Sequence, residues 1–397
     1  MTIRKTFLLG LILLLGLPAA GPAAEPGITD TELTVGVSTP LTGPAALWGV
    51  TAQGFKAWAD YLNDQGGLHG RKIKVIIKDD GYNPARSMAN LQEMKDQVFC
   101  VGPLLGSAPC GASKDFWAEH KIPLITPYAN VRIYADLPKD KQRWVFMSYP
   151  DYEDEAEYLT KYGVDKLGVK KIAMFYQNDD FGQMAMVGVK KAVGGLTGKA
   201  ELVKAVPYEV TERALGTHAL ALKESGADTV IIYASPSHSA LILKEQVKVA
   251  YKPKVLTNFT VGDPIMAKLA GEAWVGAFIT LAGNIGMPGV DKEADKVVEI
   301  LLKYNPDFKG KEYLAVFGAV SMMHLAEGLK NAGKGLTREG LIKGMESIKD
   351  WKPMGLGAPV TYGPDRHHGL NSSRMSQAQA DGSNKPIADF VVYKSRF

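Results

Sequence analysis

Lys171-Ile172-Ala173-Met174-Phe175-Tyr176, followed by Gln177-Asn178-Asp179-Asp180-Phe181-Gly182, decides the fold. The first six residues are a short, nearly unbroken apolar run, which predicts a strand at 171–176 covered on both faces. The polar turn behind it opens a helix over 182–193. Outward from this unit the alternation continues, with a helix at 152–162 before it. After it come a helix at 212–225, a strand at 229–233, a helix at 237–249, and strands at 255–258 and 274–281. The first half repeats the pattern. A strand at 33–37 leads to a helix at 45–63, which Gly66-Gly67-Leu68-His69-Gly70 stops. Next come a strand at 73–77 and a helix at 84–94, with Pro84 in its first turn. A strand at 98–102, a helix at 107–120 and a strand at 124–126 complete this half. Alternation at this spacing predicts an α/β protein with two doubly wound parallel sheets in tandem, each covered by helices on both faces. Longer helices follow at 291–303, 313–331 and 337–347, and short strand-like runs extend from Val360 to Phe390-Val391-Val392-Tyr393. Side-by-side α/β lobes leave a cleft where strand ends and helix starts converge, and ligands of open α/β sheets bind there.

Composition narrows the function. The 397 residues are 46% hydrophobic and 22% charged, so the chain is neither disordered nor fibrous. A net charge of +4 gives no footprint for a polyanion, so no nucleic-acid partner is expected. At the N-terminus, Arg4 and Lys5 precede an apolar run from Phe7 to Leu17, then Pro18 and small residues from Ala19 to Ala24. This is the pattern of a secretory signal peptide, with cleavage expected after Ala23. The run falls short of the ~20 apolar residues a bilayer span requires. The mature chain is therefore expected in the periplasm. Its two cysteines, Cys100 and Cys110, meet an oxidising compartment, and the sequence leaves a disulfide between them open.

Catalytic signatures are missing. There is no G-x-S-x-G, Walker loop, dinucleotide fingerprint or metal-ligand spacing, so neither an enzyme nor a metal or cofactor is expected. His367-His368 reads as a solvated turn, His69 as exposed in its glycine turn, and His324 as a core histidine on an apolar helix. Asp79-Asp80 ends a strand where it can face the cleft. Ser107 is the informative residue. It follows Val101-Gly102-Pro103-Leu104-Leu105-Gly106 at a strand-to-helix turn, where it can cap the helix or present a hydroxyl beside free N–H groups to a carboxylate.

Several motifs occur in a specific order: Leu41-Thr42-Gly43-Pro44, Trp48-Gly49, Gly66 through Gly70, Lys78-Asp79-Asp80, Gly102 through Ser107, and Ile125-Thr126-Pro127. In this order, with the second-lobe motif Tyr176 through Gly182, the mature chain resembles the periplasmic leucine/isoleucine/valine-binding proteins, type I solute-binding proteins of ABC importers. The resemblance implies two lobes joined by a three-strand hinge. It places 24–147 plus 283–356 in one lobe and 148–282 plus 357–397 in the other, with 1–23 as signal peptide. It also implies a small-molecule ligand and permease subunits in the inner membrane as partners.

Carried over residue by residue, the family's carboxylate-binding serine falls on Ser107, and its contacts after the Thr-Pro turn fall on Tyr128 and Asn130. Its aromatics fall on Trp48 and Phe181, and a second-lobe tyrosine falls on Ser235. The glutamate that pairs with a ligand ammonium falls on Phe259. A buried ammonium without a carboxylate partner costs several kcal/mol. An amino acid is therefore expected to fit poorly unless Asp263 or Asp179 substitutes. Trp48, Tyr128, Phe181 and Phe259 instead suit an aromatic or similarly apolar carboxylate, held at Ser107, with Arg132 either assisting or on the surface. The same aromatics can equally be core packing. A hydrophobic amino acid for transport, or a sensing module of the same fold, are the other readings.

Overall fold

The computed structural model describes residues 25–283, 289, 291–354, 356 and 358–397, so the expected signal segment lies outside the described residues. Two sheets form the frame. The first contains β1 (Glu32–Thr39), β2 (Lys72–Asp79), β3 (Cys100–Leu104), β4 (Leu124–Ile125) and β5 (Val145–Ser148). The second contains β6 (Lys171–Gln177), β7 (Glu201–Tyr208), β8 (Thr229–Tyr233), β9 (Lys254–Thr257) and β10 (Phe278–Leu281). The chain closes with β11 (His368–Leu370), β12 (Ser372–Ala378), β13 (Asn384–Pro386) and β14 (Val391–Val392). The strand orders are β11-β5-β4-β3-β1-β2 and β13-β12-β10-β9-β8-β6-β7, with β14 beside β12.

Pairing is parallel except where β12 joins β10, β13 and β14. The central strands β1, β6 and β8 are buried along almost their whole length, as helices on both faces require. The expected pair of α/β lobes is thus present. The chain crosses between them after β5, between β10 and the helix Lys292–Tyr304, and between β11 and β12. The third crossing lies later than the expected boundary at 357. Trp351 bridges Val360, and His368 of β11 pairs with Met147 of β5, which keeps this stretch on the first sheet. The long helix Glu312–Ala332 packs against the helix Val50–Asp64 of the first lobe.

Local chemistry accounts for the other departures. The helix expected at 107–120 divides into Ser107–Ala112 and Phe116–His120. The Ser113 hydroxyl donates to the Pro109 and Cys110 carbonyls, which competes with continued helix. The strand expected at 274–281 starts only at Phe278, because Gly276 sits at φ +84°, outside strand conformation. His367 and His368 are not in a solvated turn. Both are buried: His367 stacks on Phe146 at 4.0 Å, and His368 Nε2 lies 2.7 Å from the Tyr149 carbonyl. His69 is half-buried, with Nε2 3.0 Å from the Leu329 carbonyl. Cys100 and Cys110 are free and buried.

Candidate ligand-binding site

The site is made of strand ends. Behind β1, a single 3-10 turn, Ala46–Gly49, brings Trp48 into the cleft, and its indole N–H donates to the Thr260 carbonyl of the other lobe at 3.2 Å. Behind β2, the Asp80 carboxylate accepts the Tyr82 N–H at 2.8 Å and the Ser38 hydroxyl at 2.8 Å, and so shapes the turn that delivers Tyr82. Burial pushes the Asp80 carboxyl up to about 6. Asp79 accepts from Leu41 and Thr42. The acidic pair therefore organises loops, and neither member lines the cavity.

Behind β3, Gly106 takes φ +110°, and a Cβ there would stand 2.6 Å from the Tyr82 ring. The Gly106 N–H donates to the Tyr128 carbonyl at 2.9 Å, and the Tyr128 N–H donates to the Leu104 carbonyl at 2.8 Å. These bonds set Ser107 beside Tyr128. The Ser107 hydroxyl accepts the Asn130 N–H at 3.0 Å, and its own proton has no acceptor among the described residues. Cys110 is the first residue of this short helix whose N–H is taken by the backbone, by Gly106. Pro109 has no N–H, so the Ser107 and Ala108 N–H groups remain at the helix start.

The second lobe supplies the facing wall. Asp179 caps the helix Asp180–Gly195 by accepting the Phe181 N–H at 3.0 Å, which orients Phe181 toward the cleft. Behind β9, the Asn258 side chain accepts from Thr260, and the Phe259 N–H donates to Glu155 Oε1 at 3.1 Å.

Between the walls lies a small cavity of about 40 Å³. Trp48, Ser107, Tyr128, Phe181 and Phe259 all line it. So do Tyr82, Tyr149, Tyr152, Tyr313 and Phe317. Across the cleft Trp48 meets Phe181 edge-on at 5.9 Å, and within the second lobe Tyr152 meets Phe181 at 4.8 Å. Tyr149 meets Phe259 at 4.8 Å. None of the described lining residues is charged.

Three expected contacts stand elsewhere. Asn130 is buried behind Ser107, with its side-chain oxygen on the Arg132 N–H. The Arg132 guanidinium donates to Glu153 at 2.7 Å, away from the cavity. Ser235 caps the helix Pro236–Lys248, and its hydroxyl lies 2.7 Å from His238 Nδ1. The carboxylates named as substitutes are also engaged. Asp263 accepts from Ile265 and, across the cleft, from Leu314 at 3.0 Å. Asp179 accepts from Tyr82, Gln177 and Phe181. Glu155 sits behind Phe259, and burial pushes both Glu155 and Asp263 up to about 7. The sequence reading missed the tyrosines at 82, 149, 152 and 313 and Phe317. Tyr82 and Tyr149 follow strand ends and were legible as such. Tyr313 and Phe317, four residues apart on an apolar helix, read as ordinary core.

Among the described residues no group of three His, Cys, Asp or Glu could hold a metal ion, and no helix is long and apolar enough to cross a membrane.

Comparison with known proteins agrees with this architecture. The family model described as "Periplasmic binding protein" matches residues 32–384. A relative named Leu/Ile/Val-binding protein homolog 1, from Brucella abortus (strain 2308), is 26% identical over 336 residues, covering 83% of this chain and 85% of its own length. Among solved structures, a fatty acid ABC transporter substrate-binding protein from Thermomonospora curvata superposes with a TM-score of 0.83 at 24% identity. That match covers 93% of this chain and 95% of the other. A branched chain amino acid ABC transporter structure from Thermus thermophilus with bound valine also gives 0.83, at 18% identity, covering 92% and 98%. Both structures share the two-lobed fold. With the family model spanning nearly all of its described length, this chain belongs to the periplasmic binding proteins, a non-enzymatic family of extracytoplasmic solute receptors of the Leu/Ile/Val-binding type.

Proposed function

We propose that the protein is the solute receptor of an ABC importer, exported to the periplasm by a signal segment at 1–23. It captures a small aromatic or similarly apolar organic acid between its lobes and delivers it to inner-membrane permease subunits. One observation carries the choice of solute: the cavity is walled by aromatic rings, with no charged group on its described lining, yet Ser107 offers a hydroxyl and the helix start offers free N–H groups. Ring contacts each add about 0.5–1.5 kcal/mol beyond simple burial. A carboxylate finds hydrogen-bond donors at Ser107, whereas an ammonium finds no carboxylate. Trp48, Ser107, Tyr128, Phe181 and Phe259 are the proposed ligand contacts. Asn130 supports Ser107 from behind, while Arg132 and Ser235 act in the framework.

A hydrophobic amino acid is the second reading, and the names of the Brucella relatives favour it. A thermal-shift comparison of leucine and valine with benzoate and cinnamate separates the two. A ligand that binds only the folded state raises the melting temperature according to RT ln(1 + [L]/Kd). The acids should raise it and the amino acids should not. A shift with leucine or valine alone would overturn the choice of solute.

A further inference from the structure

A second, small cavity, of about 30 Å³, lies on the hinge side of the first. Tyr128 and Phe317 line both cavities and form the partition between them. The partition is tied to one helix: the Tyr128 hydroxyl donates to the Phe317 carbonyl at 2.7 Å and also contacts the Ser321 hydroxyl. Phe317, Val320, Ser321 and His324 form one face of that helix, at the spacing that places side chains in a row, and all four line the second cavity.

Two polar atoms in its wall have no hydrogen-bond partner among the described residues. They are Thr126 Oγ1, on a residue 2% exposed, and His324 Nε2, on a residue 1% exposed. Orphaned buried polar groups are rare in folded proteins and call for an explanation. Their chemistry is specific. His324 Nδ1 lies 2.7 Å from the Val320 carbonyl, which can only accept, so Nδ1 carries the proton. Nε2 is then a bare acceptor, and burial keeps the ring neutral. The Thr126 hydroxyl, on a residue lining the same cavity, can donate or accept. A hydroxyl guest satisfies both, donating to His324 and accepting from Thr126. A carboxylate would meet the Nε2 lone pair, and an ammonium would lie buried without a countercharge.

Building on the proposed function, we propose that the solute is elongated. Its carboxylate end sits at Ser107, its apolar body passes the Tyr128–Phe317 partition, and a hydroxyl at its far end occupies the second chamber between Thr126 and His324. Ser148, Ala282 and Leu370, the last residues before or beside the three lobe crossings, also line this chamber. A solute filling it therefore touches the hinge and favours the closed lobes through differential contact.

The test is calorimetric titration of the mature protein with benzoate, with ω-(4-hydroxyphenyl)alkanoates of increasing chain length, and with their phenyl counterparts. At the length that reaches the second chamber, the phenol should bind about tenfold more tightly than the equally long phenyl acid, as one added buried hydrogen bond allows. Val320→Phe, which fills the chamber, should abolish that preference and leave benzoate affinity unchanged. If benzoate binds but affinity is indifferent to length and hydroxyl in the wild-type protein, the chamber holds only water and the inference falls, while the proposed function stands. If no acid of any length binds, both fall.

Discussion

The Tyr82 hydroxyl donates to Asp179 Oδ2 at 2.8 Å, and the two residues belong to different lobes. Gln177 completes the contact by donating to the same carboxylate at 2.7 Å and to the tyrosine oxygen at 3.0 Å. With Trp48 on the Thr260 carbonyl and Asp263 on the Leu314 N–H, three hydrogen-bonded contacts tie the lobes around the cavity. These bonds exist only when the lobes are together, so they stabilise the closed state relative to the open one. Tyr82→Phe keeps the ring in the cavity wall and removes the hydroxyl with its bonds to Asp179 and Gln177. A bond to a charged acceptor contributes about 1.5–3 kcal/mol. The substitution should therefore weaken solute binding roughly tenfold or more, with little change in the melting temperature of the solute-free protein. Titration calorimetry and thermal melts of the same variant provide the check. Unchanged affinity would mean that the closed state does not depend on this contact.

Ser107→Ala tests the anchor. The substitution removes the hydroxyl offered to a carboxylate, and it also strands the buried Asn130 N–H that Ser107 Oγ accepts. The second effect should cost about 1 kcal/mol of folding stability. The first should lower affinity for aromatic acids about tenfold. Comparing the acid with its neutral amide in wild type and variant separates anchor from framework: a framework role alone would weaken both equally.

Much of this arrangement was legible in the residues, and what was not has physical reasons. The alternation marked the central strands because both their faces are buried, as in β6 and β8. Within the strand-like stretch from Val360, β12 was not singled out because Ser372–Ala378 is mostly polar, and its burial comes from antiparallel pairing on both sides rather than from its own hydrophobicity. β7 is an edge strand with only two of its eight positions buried, so it carries little apolar signal. His367-His368 looked like a turn because strand β11 is only three residues long and owes its burial to β5 and the C-terminal Phe397. At the site, Trp48, Phe181 and Phe259 follow motifs at strand ends. Arg132 and Ser235 occupy corresponding places in the chain, but their side chains satisfy Glu153 and a helix cap. Which way a polar side chain turns depends on partners distant in sequence, and a motif does not carry that information.

The two cysteines should stay silent until the protein unfolds. Both are free, and burial pushes both thiols up to about 12. Thiolate, not thiol, is the reactive form. A chromogenic disulfide reagent at pH 8 should therefore label neither cysteine in the native protein and both in denaturant. Labelling of neither in denaturant would reveal a disulfide.

Glu155 should make stability depend on pH in an unusual direction for a carboxylate. It accepts from the Phe259 N–H, the Thr280 hydroxyl and the Tyr233 hydroxyl, yet burial outweighs these bonds and raises it from an ordinary value of 4.5 to about 7. With the folded value above the unfolded one, its contribution is fully present below pH 4.5 and is lost as pH rises through 7. His324 and His368 act oppositely: burial lowers each to about 4, so their contribution is present above pH 6.5 and lost on acidification. A wild-type pH profile therefore mixes the two, and a substitution is needed to isolate one. Glu155→Gln fits the same partners, since its carbonyl accepts from Phe259 and its amide donates to the Tyr233 oxygen. Measured as urea midpoints, the variant should gain on wild type between pH 5 and pH 8, by on the order of 3 kcal/mol, the free energy that corresponds to moving the carboxyl from 4.5 to about 7. A difference between variant and wild type that stays constant across that range would mean that Glu155 is ionised throughout, leaving a negative charge directly behind Phe259 to meet a ligand ammonium.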